Sequence, residues 1–261
     1  MVDIHCHVLP GVDDGSEDIE ESLEMLRKSA ASGVEIIVAT PHLIRGVYET
    51  TFPERKQMVA DLQNAAEDAG INIRIKPGVE CYLSPELLED ADKLRELTID
   101  CNGKYILVEL PMQAVPPYAE SVIFNLRLQG VVPILAHPAR NMRICQDPNV
   151  LYELVTKGCL AQLNVGSILG YFGRQIKKVA KILLTHKMVH VVASDMHSSS
   201  SHTMDQGVPI VEQLLDQERA SFMFSEIPRQ IVAGEDFFKE PPERYEPVRR
   251  SLIDVIFGRK T

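Results

Sequence analysis

Residues 5 to 14 read HCHVLPGVDD, two histidines one residue apart followed by paired aspartates. Side chains on a strand alternate between faces, so His5 and His7 point one way and Cys6 the other. Imidazole and carboxylate together are ligands for Mn, Fe or Zn, and Cys6 is the only sulfur nearby. Similar groups close later apolar runs: His42 in TPH, Glu80 in GVE, Glu109 in LVEL, His137 and Arg140 in AHPAR, Asp195 and His197 in ASDMH. Each alone has an ordinary explanation, a single histidine as a hydrogen-bonded loop residue, Asp14 or Glu109 as a capping or solvated acid. Gathered at one place, the acids would repel one another and resist desolvation, a cost that divalent cations remove. The chemistry of such a multinuclear site is hydrolysis by a metal-activated water. His186 and His190 read as structural or exposed, and His202 stays open.

These groups converge only if the elements carrying them do. After the opening motif, Ile19, Leu23, Leu26 and Ala30 fall at helical spacing, with Ser16 as the expected N-cap, acids in the first turn and Gly33 as the stop. A short β-branched run, VEIIVAT, follows. The same order of helix, glycine and apolar strand recurs at Gly70, Gly130 and Gly158. VDIHC, EIIVAT, NIRIKPG, YILVEL, VPILA, LAQLNV and VHVVAS give about seven strands, several apolar at nearly every position, as parallel strands covered on both faces are. The fold class is α/β, a closed or nearly closed parallel barrel, with an open doubly wound sheet as the alternative. No G-x-G-x-x-G or Walker-type loop follows the first strand, which weakens the nucleotide-binding version. In a parallel barrel all the strand ends surround one mouth, where such folds carry their active sites.

At 261 residues and 45% hydrophobic content, one barrel domain is expected over residues 1–239. A Pro- and charge-rich linker and a short segment containing SLIDVIF would follow over 240–261. With 37 acidic against 27 basic residues the net charge is −10, which disfavours nucleic acid and anionic lipid as partners. The five scattered cysteines fit reduced thiols and a cytoplasmic protein, with no basic-then-apolar leader and no apolar run of the roughly 18 residues that cross a bilayer. None of the cysteines has an arginine six positions later, so chemistry that pairs a thiolate with an arginine at that spacing is disfavoured.

As an ordered set, DIHCHVLPGVDDG, TPH, GVE, AHPAR and ASDMH resemble the metal-dependent protein-tyrosine phosphatases of bacterial capsule and exopolysaccharide synthesis, within the polymerase-and-histidinol-phosphatase (PHP) group. The likeness extends over about residues 1 to 235. It implies a distorted TIM-like (β/α)7 barrel holding three divalent metals, usually manganese. His5, His7, Glu80 and Asp195 would hold one, Glu80, Glu109 and His137 a second, and Asp14, His42 and His197 a third. The resemblance further implies hydrolysis of phosphotyrosine on proteins, a bacterial tyrosine kinase of polysaccharide synthesis being the expected partner. Arg140, Asp195 and His42 take the catalytic roles, and Arg140 grips phosphate. The loop from Ser198 to Gly207 departs from the family in lacking an arginine, so that either His202, Arg45 or a flanking residue substitutes or the affinity for phosphate is lower. The alternatives are a small-molecule phosphatase of the histidinol-phosphate kind or a phosphodiesterase and, from another class, a non-catalytic regulator that binds a phosphorylated kinase.

Overall fold

The computed structural model describes residues 1–89 and 91–247. Nine strand segments appear: β1 (Val2–Cys6), β2 (Ile36–Ala39), β3 (His42–Leu43), β4 (Arg74–Pro77), β5 (Glu80–Tyr82), β6 (Tyr105–Glu109), β7 (Val132–Leu135), β8 (Leu160–Asn164) and β9 (Val191–Ala193). β2 pairs with β4 while β3 pairs with β5, so β2 and β3 are one strand interrupted near its middle, and β4 and β5 another. Counted that way, all seven expected strands are present and parallel, in the order β1, β2/β3, β4/β5, β6, β7, β8, β9. The remaining seam between β9 and β1 is joined by Asp195 N–H donating to the His5 carbonyl at 2.9 Å and His7 N–H donating to that of Met196 at 2.9 Å. The open-sheet alternative is therefore excluded.

Two apolar layers hold this ring. Residues such as Cys6, Ile37, Val79, Ile106, Val108 and Leu163 face outward into the helices. Val2, Ile4, Ile36, Val38, Tyr105, Leu107, Val132, Ile134, Leu160 and Val191 fill the interior, capped from below by Ile99 and by Ile231 and Val232 of the helix Ile227–Ala233. Burying both faces of each strand accounts for the nearly continuous apolar runs in the sequence.

The helix Ile19–Ala31 is capped by Asp18, whose side chain accepts from Glu21 N–H, and not by Ser16. Ser16 turns inward, its hydroxyl 2.8 Å from that of Ser22, and helps anchor the loop that carries the two aspartates. Residues 240–247 lie against the barrel: Arg219 and Lys187 pair with Glu240, and Tyr245 exchanges hydrogen bonds with the Asn149 side chain. The segment SLIDVIF lies outside the described residues. Among the described residues no helix is long and apolar enough to cross a membrane.

Candidate metal centre

Inward-facing positions on one strand are two residues apart, so continuing the interior parity past the apolar core locates the site. On β6 the series is Tyr105, Leu107, Glu109; beyond β9 it runs Val191, Ala193, Asp195; through β2/β3 it runs Ile36, Val38, Thr40, His42. Two strands break parity, each at a backbone irregularity. β1 has one residue more than β2 between Asp3 and Cys6, a bulge that lets Ile4 join the interior core while Cys6 joins the outer layer. His5 and His7 thereby turn into the mouth, and the His5 N–H donates to Asp3 Oδ1 at 3.3 Å. On the chain leaving β7, His137 adopts the left-handed region at φ 31°, which re-aims its ring off the Val132, Ile134, Ala136 series. Asp195 is also left-handed, at φ 55°; such conformations cost free energy and cluster at functional sites.

All nine expected ligands meet at this mouth. His5 Nε2 lies 3.2 Å from Glu80 Oε2 and 3.3 Å from Asp195 Oδ1. His7 Nε2 lies 3.3 Å from the same Glu80 oxygen. His137 Nε2 is 2.9 Å from Glu80 Oε1, and His42 Nδ1 is 3.1 Å from Glu80 Oε2 and 3.4 Å from Glu109 Oε1. Asp14 faces the Nε2 atoms of His42 and His197 at 3.4 and 3.6 Å. Among the described residues, four overlapping groups could hold a cation: His5, His7, Glu80; His7, Asp14, His42, His197; His42, Glu80, Glu109; and His5, His137, Asp195. Glu80 and Asp195 are at the centre of the cluster, and His42 links its Asp14 side to its Glu109 side.

The protonation pattern fits cations. His5 Nδ1 faces Gln162 Oε1 at 3.0 Å, and the same oxygen accepts from the backbone N–H of His137, which fixes the amide orientation. His7 Nδ1 faces Asp13 Oδ2 at 2.7 Å. Both Nδ1 atoms therefore carry the proton, and the two Nε2 lone pairs meet at 3.1 Å. Lone pairs at that separation repel unless a positive centre lies between them. Glu80 Oε2, Asp195 Oδ1 and His42 Nδ1 are buried without a hydrogen bond, although each faces imidazole or carboxylate atoms of the cluster.

The electrostatics of the protein alone agree. Burial opposes charge on His5, but Glu80 and Asp195 outweigh it and raise its pKa to about 9. Burial would likewise push Glu80 up, yet His5 and His137 hold it well below the carboxylate range. Burial, and next the Glu80 charge, push Glu109 up to about 8. The cluster thus takes up protons where a cation would otherwise sit.

The expected substrate residues are placed differently. Arg140 Nη1 donates to Asp195 Oδ2 at 3.0 Å, so it borders the cluster directly. Arg45 is exposed and lines a cavity of about 890 Å³ with Phe52, Tyr82 and Leu97, beside the strand ends of β3 and β5. His202 Nδ1 bonds Gln206 Oε1 at 2.9 Å and meets the Tyr171 ring edge-on at 5.2 Å, which puts it on the Tyr171 side of the rim.

A family model described as "Capsular polysaccharide synthesis, CpsB/CapC" matches residues 1–233. The chain belongs to the CpsB/CapC family. Tyrosine-protein phosphatase YwqE of Bacillus subtilis (strain 168) is 35% identical over 260 residues, covering 98% of this chain and 100% of that protein. Tyrosine-protein phosphatase CpsB of Streptococcus pneumoniae is 30% identical over 239 residues, covering 89% and 98%. A solved structure described among "YwqE from Bacillus subtilis and CpsB from Streptococcus pneumoniae, unique metal-dependent tyrosine phosphatases" matches with a TM-score of 0.89 at 34% identity, covering 94% of this chain and 100% of that one. Histidinol phosphate phosphatase from Lactococcus lactis matches with a TM-score of 0.57 at 14% identity over 85% and 94% of the two chains, a likeness of fold.

Sequence reasoning overlooked the residues that orient the family's histidines here. Asp13 binds His7 Nδ1 and also accepts from the backbone N–H groups of His42 and Gly15 at 2.9 Å each. Gly15 is required for this loop because a Cβ there would lie 2.3 Å from the His7 carbonyl oxygen. Gln162 orients His5, and Asn164 Nδ2 donates to Asp195 Oδ2 at 2.9 Å. The available signal was the pair of amides at alternate positions of LAQLN, an otherwise apolar strand. Asp3, buried beneath the cluster, accepts from Ser194 N–H at 3.0 Å across the seam.

Proposed function

We propose that this chain is a metal-dependent phosphoric monoester hydrolase that removes phosphate from tyrosine on proteins, using three divalent ions, most readily manganese. The observation that carries the reading is the buried meeting point of the His5 and His7 Nε2 atoms with Glu80 and Asp195, whose orphaned atoms call for cations. His5, His7, Glu80 and Asp195 would hold one ion, Glu80, Glu109 and His137 a second, and Asp14, His42 and His197 a third. Divalent ions, when bound, supply Lewis acidity and a water of lowered pKa at neutral pH. Asp13 and Gln162 keep His7 and His5 in the tautomers that present Nε2. Arg140 keeps donors free after bonding Asp195, a fork suited to the non-bridging phosphate oxygens.

The cysteines supply no competing nucleophile. Burial raises the thiol pKa of Cys6, Cys81, Cys101, Cys145 and Cys159, that of Cys81 to about 12, so thiolate is scarce at neutral pH. All five are free, in keeping with a cytoplasmic setting. The names of the relatives and the family description support a phosphotyrosyl protein of capsule synthesis, a tyrosine kinase foremost, as substrate. The test is metal analysis and turnover on one preparation, comparing a phosphotyrosyl peptide with histidinol phosphate. Turnover of the peptide should vanish on chelation, return with manganese and survive iodoacetamide. Turnover confined to histidinol phosphate, or activity that outlasts metal removal, would overturn the proposal.

A further inference from the structure

Among the described residues, Arg140 is the one lysine or arginine that bonds a member of the cluster. It follows His137 through the short turn Pro138–Arg140, and an arginine on so short a turn keeps wide freedom unless something seats it. Its Nη1 is tied to Asp195, which leaves the guanidinium free to swing about that bond. A second contact removes this freedom: the guanidinium carbon stands 4.6 Å from the centroid of the Phe172 ring.

Phe172 has no other evident reason to be aromatic. It is half-buried, belongs to neither apolar layer, and sits in the turn GYFG that follows the helix Val165–Leu169. Its ring is nevertheless seated in a fitted slot, since a Cβ at Gly166 would come within 2.9 Å of Phe172 Cε2. Tyr171 braces the ring from the side, edge-on at 5.3 Å. A cation held against an aromatic face is attracted by the ring quadrupole while its N–H groups stay free for an anion.

We propose that Phe172 is a positioning residue, which with Asp195 fixes the Arg140 guanidinium in readiness for the substrate phosphate. The inference rests on the phosphatase reading for the identity of that anion, but not for the seating of the arginine. Two measurements separate them. In the NMR spectrum of the metal-free protein, the Arg140 Nε–H resonance should be ring-current shifted and should move toward its ordinary position in Phe172→Leu. A resonance insensitive to that substitution overturns the seating whatever the protein hydrolyses.

In kinetics on a phosphotyrosyl peptide, metal-loaded Phe172→Leu should lose roughly three- to thirtyfold in kcat/KM at wild-type metal content, the range of a cation–π contact. Phe172→Tyr should recover most of that loss. In an Arg140→Ala background the leucine substitution should cost nothing further. An equal loss in both backgrounds, an undiminished rate, or a loss that follows metal content would each overturn the proposal. If instead the metal-loaded wild type hydrolyses no phosphate monoester while the resonance behaves as expected, the phosphatase reading fails and the seating of Arg140 stands.

Discussion

The lower and upper halves of the barrel interior are built from the same strands, and except on β1 and beyond β7 from the same strand faces, yet one is an apolar plug and the other a cage of imidazoles and carboxylates. On β6 the change occurs within a single step, from Leu107 in the plug to Glu109 in the cage. Below, apolar side chains such as Val2, Ile4, Leu107 and Val191 pack on one another. Above, Glu80, Asp195 and His42 keep buried atoms without hydrogen bonds. The plug can therefore support the strands without help, whereas the cage, as the proposed function has it, is completed by cations, and the two halves should fail independently when altered.

Glu80→Gln should give the largest effect, because this carboxylate touches His5, His7, His42 and His137. Its loss in metal-dependent turnover should exceed the roughly ten- to hundredfold change that outer partners cause, with the far-UV circular dichroism of the barrel retained. Leu107→Ala in the plug should do the reverse. Its cavity should lower unfolding free energy by about 2–5 kcal/mol, read in urea, with turnover per folded molecule unchanged below the transition. A loss of turnover without a loss of stability would dissolve the distinction between the halves. Asp13→Asn sharpens it further. The substitution keeps an oxygen near His7 Nδ1 but removes the charge, so metal affinity by calorimetry should fall roughly ten- to hundredfold with little change in melting. Unaltered affinity would mean that Asp13 only holds the loop.

The ease of reading this chain also differed between the halves. The plug and the strand count were legible because burying both faces of a parallel strand leaves apolar runs that local sequence displays. Most of the candidate ligands were legible because they lie at the ends of such runs, and His5, His7 and Asp14 because they crowd one short motif. Asp13 was not, since nothing local tells an aspartate that orients a histidine from one that faces a cation, and Asp13 and Asp14 are neighbours; Gln162 left only the signal of amides at alternate positions of an apolar strand. Ser16 was misjudged as a helix cap because a buried hydroxyl and a capping hydroxyl look alike until the packing of Ser22 against it is known.

The sequence by itself determined which residues could bind cations, that about seven strands would build the barrel that positions them, and that thiolate chemistry was disfavoured, since side-chain type and periodicity are local properties. The tertiary structure decided where they point. Strict alternation from Val2 and Ile4 would have turned His5 and His7 out of the barrel; the bulge in β1 and the left-handed turn at His137 bring three of the imidazoles inward. The bulge persists because the closing seam, through Asp3, Asp195 and Met196, binds the backbone that it displaces, and the His137 turn is held by Gln162 Oε1, which accepts from its backbone N–H.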